Sequence, residues 1–186
     1  MPEPADILGA AEDVLAILQE HKIDAVVIDA VAPAAHRYVR QTEDLDLGIN
    51  ASVERLHEVA SSLQAAGYEV QLREPDAEGP LGGVIDVTGP FGTVQISSYA
   101  GKFPAVVDDA LREARLVVRE GSPLKLVPIP QLIALKLYAG GMKSKADIIE
   151  LLIRNPEADL QSVRDACRNY RLEGLEELIA EARAAS

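Results

Sequence analysis

The sequence predicts an α+β fold: a mixed β-sheet flanked by helices, with a helical carboxy-terminal part. Three observations carry this expectation. Short β-branched runs alternate with helically spaced apolar residues in the first two thirds of the chain. Two alternating runs face each other across Gly89-Pro90-Phe91-Gly92, and the apolar period turns from alternating to helical near Pro128. The 186 residues suit one domain of ordinary size, read as an α/β core over 1–127 and a helical region over 128–186. With 48 % apolar and 26 % charged residues, the composition excludes a disordered or fibrous chain.

Taken in order, Ile7, Leu8, Ala11, Val14, Leu15 and Leu18 recur at i, i+3, i+4 and predict an amphipathic helix over 6–20, capped by Asp6. Ala25-Val26-Val27-Ile28 reads as a buried strand, and Ala30 to His36 as the start of a helix that tolerates Pro33 in its first turn. Leu45 to Ile49 alternates as a strand. A helix over about 52–66 follows, ended by Gly67. Tyr68 to Leu72 is strand-like, and the Pro/Gly/acid stretch 74–83 is a loop. Val84–Thr88 and Thr93–Ser97 form a hairpin in which Thr88 pairs with Thr93, Val87 with Val94 and Asp86 with Gln95. Asp108–Ala114 reads as a short helix, and Leu116–Val118 with Leu124–Val127 as two more strands. Helices from Pro128 to Ala139 and over about 144–153, 158–170 and 173–185 complete the chain, broken at Gly140-Gly141 and Asn155-Pro156.

Charge and composition narrow the function. Eighteen basic against 30 acidic residues give a net charge of −12, which repels DNA, RNA and anionic membranes. With two Phe, five Tyr and no Trp, little material is left for base-stacking platforms. No apolar run approaches the ~18 residues of a membrane span, and the amino terminus lacks the pattern of a signal peptide. Cys167 has no partner for an internal disulfide and reads as a small packed side chain, which suits a cytoplasmic location. His21, His36 and His57 lack the spacing of zinc ligands.

The segment His36-Arg37-Tyr38-Val39-Arg40-Gln41-Thr42-Glu43-Asp44-Leu45-Asp46-Leu47 carries most of the chemical information. In a strand Asp44 and Asp46 project from one face while Leu45 and Leu47 enter the core. Two like charges held together favour a bridging cation, and hard oxygen donors suit Mg²⁺. The plain alternative is a solvated strand end. Lys136, Lys143 and Lys145 are either phosphate contacts or a solvated face, and Arg40 either meets phosphate or pairs with Glu43.

Arg40-Gln41-Thr42-Glu43-Asp44-Leu45-Asp46 resembles the Arg-x-Thr-x-Asp-x-Asp motif of the nucleotidyltransferase superfamily that includes DNA polymerase beta. The likeness is to its small bacterial branch, related to abortive-infection toxins and minimal nucleotidyltransferases. His36 stands where that branch often has a His. Leu132-Ile133-Ala134-Leu135-Lys136-Leu137-Tyr138-Ala139 and Lys143-Ser144-Lys145-Ala146-Asp147-Ile148 resemble two of its helices, so the likeness spans about residues 24–154. It implies transfer of a nucleoside monophosphate from a nucleoside triphosphate to a transfer RNA end, a protein hydroxyl or a small molecule. Asp44 and Asp46 would be the metal ligands for Mg²⁺. Asp29, Ala30, Arg40, Thr42 and Lys136 would surround the nucleotide, and Gln95 or Asp86 would stand at the position of the general base. A cognate antitoxin or other protein partner is also implied.

Two positions depart from that pattern. The family's Gly-Gly pair, which admits phosphates close to backbone amides, falls on Asp29-Ala30. Its third carboxylate falls on Gln95, and a neutral amide replaces neither a base nor a strong metal ligand. Asp86, directly across the expected hairpin, is a candidate for a relocated acid. Two expectations therefore stand side by side: an active nucleotidyltransferase, or a binding or scaffold protein that keeps the fold with a degraded motif set.

Overall fold

The computed structural model describes residues 6–29 and 44–186. Among the described residues six strands form one mixed sheet in the order β3-β4-β5-β2-β1-β6: β1 Val26–Asp29, β2 Asp44–Ile49, β3 Glu69–Arg73, β4 Val84–Gly89, β5 Gly92–Ser98 and β6 Lys125–Leu126. The pairs β2–β5 and β1–β6 are parallel and the others antiparallel. Seven helices accompany the sheet among the described residues: α1 Ile7–Glu20, α2 Val53–Ala65, α3 Pro104–Glu113, α4 Ile129–Ala139, α5 Gly141–Arg154, α6 Leu160–Asn169 and α7 Leu175–Ala185. The expected α+β class and mixed sheet are what the molecule has.

Alternation sorts the sheet into two faces. Leu45, Leu47, Ile49, Ile85, Val87, Val94 and Ile96 are buried on one face, where α1 packs on β2 and β5 and α2 on β3 and β4. Asp6 caps α1 by accepting from the Gly9 amide at 2.6 Å, which satisfies one of the donors that every helix start leaves open. The opposite face carries Asp46, Gly48, Gln95 and Asp86. Here α3 lies against β1 and β2: a Cβ on Gly48 would come within 2.9 Å of Ile28 Cγ2 and 3.7 Å of Val107 Cγ2. Glycine lets the helix and the two strands close over each other at this point.

The near-continuous run Gln131 to Lys136 is explained by the position of α4, whose neighbours are α3, α5 and α6. A helix packed on several sides is apolar nearly all round. It ends at Gly140 (φ 69°), and Gly141 (φ 82°) begins α5, both in the region that glycine alone enters without strain.

The hairpin has the expected register, Thr88 opposite Thr93, Val87 opposite Val94 and Asp86 opposite Gln95, but the ladder runs one pair further, Gly89 opposite Gly92, and leaves Pro90-Phe91 as the turn. Three differences exceed two residues. Helix α3 begins at Pro104, four residues before the expected start, because proline at the first helical position needs no hydrogen-bond partner. Helix α5 begins at Gly141 rather than Ser144. Residues 116–118 are not a strand: Val117 makes a single bridge to Lys125, and the strand expected over 124–127 is only Lys125–Leu126. The helix expected from Ala30 to His36 lies outside the described residues.

Candidate functional site

One row of side chains crosses the open face of the sheet. Asp46 on β2 is opposite Gln95 on β5, Gln95 is opposite Asp86 on β4, and Asp86 is opposite Gln71 on β3. Asp46 and Gln95, with Ser97 and Ile28, form the floor of a cleft of about 230 Å³. Helix α4 supplies one wall through Leu135, Lys136 and Tyr138, and the loop before β4 supplies another through Pro80 and Leu81. Tyr138 fastens those walls together by donating its hydroxyl to the Pro80 carbonyl at 2.9 Å, while its ring packs 4.6 Å from that of Phe103. Burial raises the Tyr138 hydroxyl pKa. Tyr138 is thus a packed wall with its polar end bound, as is usual for a buried tyrosine.

Lys136 is nine-tenths buried, and its ammonium lies 2.9 Å from Asp147 of α5. The two helical motifs picked out in the sequence therefore meet through an ion pair at the cleft edge. Lys143 and Lys145 are exposed and lie outside the cleft lining.

Asp86 is engaged on both oxygens. Arg73 donates to Oδ2 through Nη2 at 2.9 Å and Nε at 3.1 Å, and Gln95 Nε2 donates to Oδ1 at 2.7 Å. Its carboxylate is thus an anchor for two donors rather than an acceptor turned to the cleft.

Asp44 is exposed at the start of β2 and Asp46 half-buried, two residues apart on the same face. Among the described residues no group of three His, Cys, Asp or Glu gathers in the manner of a metal cage. Two carboxylates and the Gln95 amide are nonetheless hard oxygen donors of the kind Mg²⁺ takes, with water completing its shell, so the residues fit this ion in kind. Asp29 ends β1 and is in register with Asp46 after an irregularity between Val27 and Asp29. Ala30, His36, Arg40 and Thr42 lie outside the described residues.

Sequence reasoning did not reach Arg73. The ten-residue loop between β3 and β4 leaves their register open, so nothing in the sequence aims this side chain at Asp86. The Asp147 partnership had a signal: its motif and that of Lys136 flank the Gly140-Gly141 break, where consecutive helices turn back on each other.

No protein-family model matches the chain, and no curated protein matches it by sequence. Solved structures do match. The solution structure of the antibiotic-resistance factor ANT(2'')-Ia superposes with a TM-score of 0.54 at 16 % identity, covering 88 % of this chain and 90 % of that one. A crystal structure of ANT(2'')-Ia in complex with adenylyl-2''-tobramycin gives 0.45 at 16 % identity over 95 % of both chains. The Megavirus polyadenylate synthase gives 0.47 at 12 % identity, over 82 % of this chain and 33 % of that one. At such identity the first of these likenesses shows architecture, and on it the chain has a nucleotidyltransferase-like fold.

Proposed function

We propose that the chain transfers a nucleoside monophosphate from a nucleoside triphosphate to a hydroxyl of a small-molecule acceptor. The observation that carries this reading is the cleft that brings Asp46 and Gln95 of adjacent strands together with Lys136. The acceptor oxygen would attack the α-phosphorus, form a new P–O bond and break the bond to the bridging oxygen, so that pyrophosphate leaves and the hydroxyl proton passes to a base or to water. Asp44 and Asp46 would hold Mg²⁺, which when bound neutralises the triphosphate and stabilises the attacking and leaving oxygens. Lys136 would add positive charge beside the phosphates. Arg40 and Thr42 would complete the nucleotide contacts that the resemblance implies, while Asp29, standing where the resemblance expects glycine, would repel the phosphates. The charge of −12 supports a small acceptor over a long nucleic acid.

A specific observation also favours a slow or inactive form. Asp86 is bound by Arg73 and Gln95, and Gln95 is an amide, so neither offers a free carboxylate to take the proton. Loss of a general base lowers rates by ~10²–10⁴-fold.

Calorimetric titration with ATP, CTP, GTP and UTP in Mg²⁺ tests the first reading. At least one nucleotide is expected to bind, with Asp46→Asn weakening it about tenfold or more; absence of binding to all four would refute it. Labelling of an acceptor by the unmodified protein decides between activity and degeneracy. In the slow form Gln95→Asp raises turnover, and only while Asp44 and Asp46 are intact.

A further inference from the structure

We infer that Gln95 is a neutral oxygen ligand for the divalent cation, and that Asp86 and Arg73 are positioning residues that hold its amide in the ligating orientation. The inference rests on the nucleotidyl-transfer site described above and deepens it.

An ionised carboxylate accepts hydrogen bonds and donates none, so the amide edge 2.7 Å from Asp86 Oδ1 must be Nε2. The oxygen and nitrogen of an amide flank its carbon on opposite sides. Residue 95 stands between Asp86 on β4 and Asp46 on β2, so turning Nε2 toward β4 turns Oε1 toward β2 and the cleft. The reverse orientation would set two oxygen acceptors against each other. Arg73 makes this one-sided. Its fork occupies Oδ2 and leaves Oδ1 for the amide.

The arrangement also accounts for the amide at a position where a carboxylate is expected. An acid at 95 would face Asp86 across an antiparallel pair and Asp46 across a parallel one, three like charges in one row. Glutamine removes the middle charge, keeps a hard oxygen and gains a charge-assisted hydrogen bond. The cost is a weaker cation site with no proton acceptor at that position.

Mn²⁺ titrated into the full chain, with free Mn²⁺ followed by electron paramagnetic resonance, tests this with no nucleotide and no turnover. Partners of metal ligands commonly change affinity by ~10–100-fold when removed. Gln95→Leu and Asp86→Leu are each expected to weaken Mn²⁺ binding about tenfold. Adding Gln95→Glu to the Asp86→Leu chain is expected to restore it, because a carboxylate has oxygen on both sides and needs no orienting partner. A merely structural role for Asp86 predicts no such rescue, and failure of the rescue overturns the positioning role. If Asp86→Leu does not fold, the exposed Arg73→Gln carries the same test: a few-fold loss supports the inference and unchanged affinity overturns it. Unchanged affinity in Gln95→Leu, with loss in Asp46→Asn, overturns Gln95 as a ligand and leaves the underlying site standing. No Mn²⁺ binding by the unmodified chain, or affinity indifferent to Asp46→Asn, overturns the site and the inference together.

Discussion

Lys136 shows how one residue can serve both the fold and the site. Its side chain is 10 % exposed and that of Asp147 18 %, so their ion pair is largely withdrawn from water. Removing one member of such a pair is costly because the other stays buried with its charge, whereas replacing both by apolar groups of similar volume is often nearly neutral. Asp147→Asn is therefore expected to lower stability by about 3 kcal/mol. Lys136→Met with Asp147→Leu should recover most of that loss. If Lys136 meets phosphate, nucleotide affinity will not recover with stability. Urea unfolding and nucleotide titration of the same three proteins separate the two roles: recovery of affinity in the double variant would confine Lys136 to structure.

At the scale of elements, the segment between β3 and β4 is a built wall. The Gly82 amide donates to Ser98 O at 2.7 Å, and the Ser98 amide donates to Gly83 O at 2.9 Å, which prolongs the β4–β5 ladder into the loop. Lys102 Nζ holds the carbonyls of Asp76 and Ala77, and Tyr138 holds that of Pro80. A Cβ on Gly82 would lie 2.4 Å from the Ala100 carbonyl oxygen, a backbone atom that cannot swing aside. Gly82→Ala is expected to cost about 2 kcal/mol and to weaken nucleotide binding by displacing Pro80 and Leu81. An unchanged urea midpoint would show that the loop yields without strain. How far elements could be read follows from what sets their register. The register of the β4–β5 hairpin was legible because a short turn between Gly89 and Gly92 joins two alternating runs, and this aligned Asp86 with Gln95. The β3–β4 register was not, since ten residues of loop transmit no register, and Arg73 was lost with it. The short β6 was overread: the apolar run at 116–118 and the mostly apolar run at 124–127 look like strands, yet a single bridge joins them. For the site, alternation placed Asp44 and Asp46 on one face, whereas the engagement of Asp86 depends on a side chain from another strand.

Across the whole molecule, buried and hydrogen-bonded acids set the pH range of stability. Burial raises the Cys167 thiol from its ordinary 9.0 to about 11. Burial and Asp13 raise the Tyr68 hydroxyl to about 12, and burial and Asp109 raise that of Tyr170 further. Each prefers its neutral form in the folded chain. Their contribution is therefore complete below the ordinary pKa and is lost as pH climbs through the raised one, because the unfolded chain gives up its protons first. On the acid side Arg119 lowers the Glu12 carboxyl, against a smaller effect of burial, so that stabilisation is present above about 4.5 and lost as pH falls below it. Stability should hold between about pH 5 and 9 and fall above 9, with Cys167 contributing about 2–3 kcal/mol of the loss by pH 11. The net charge of −12 would also weaken the fold at high pH, but repulsion between exposed charges is screened by salt and a buried thiol is not. Thermal melts from pH 7 to 11 at low and high salt distinguish them. Cys167→Ala should move the start of the alkaline fall from near 9 to near 10, where the tyrosines take over, at both salt concentrations; a fall that vanishes in high salt, or starts at the same pH in that variant, would assign it to surface charge.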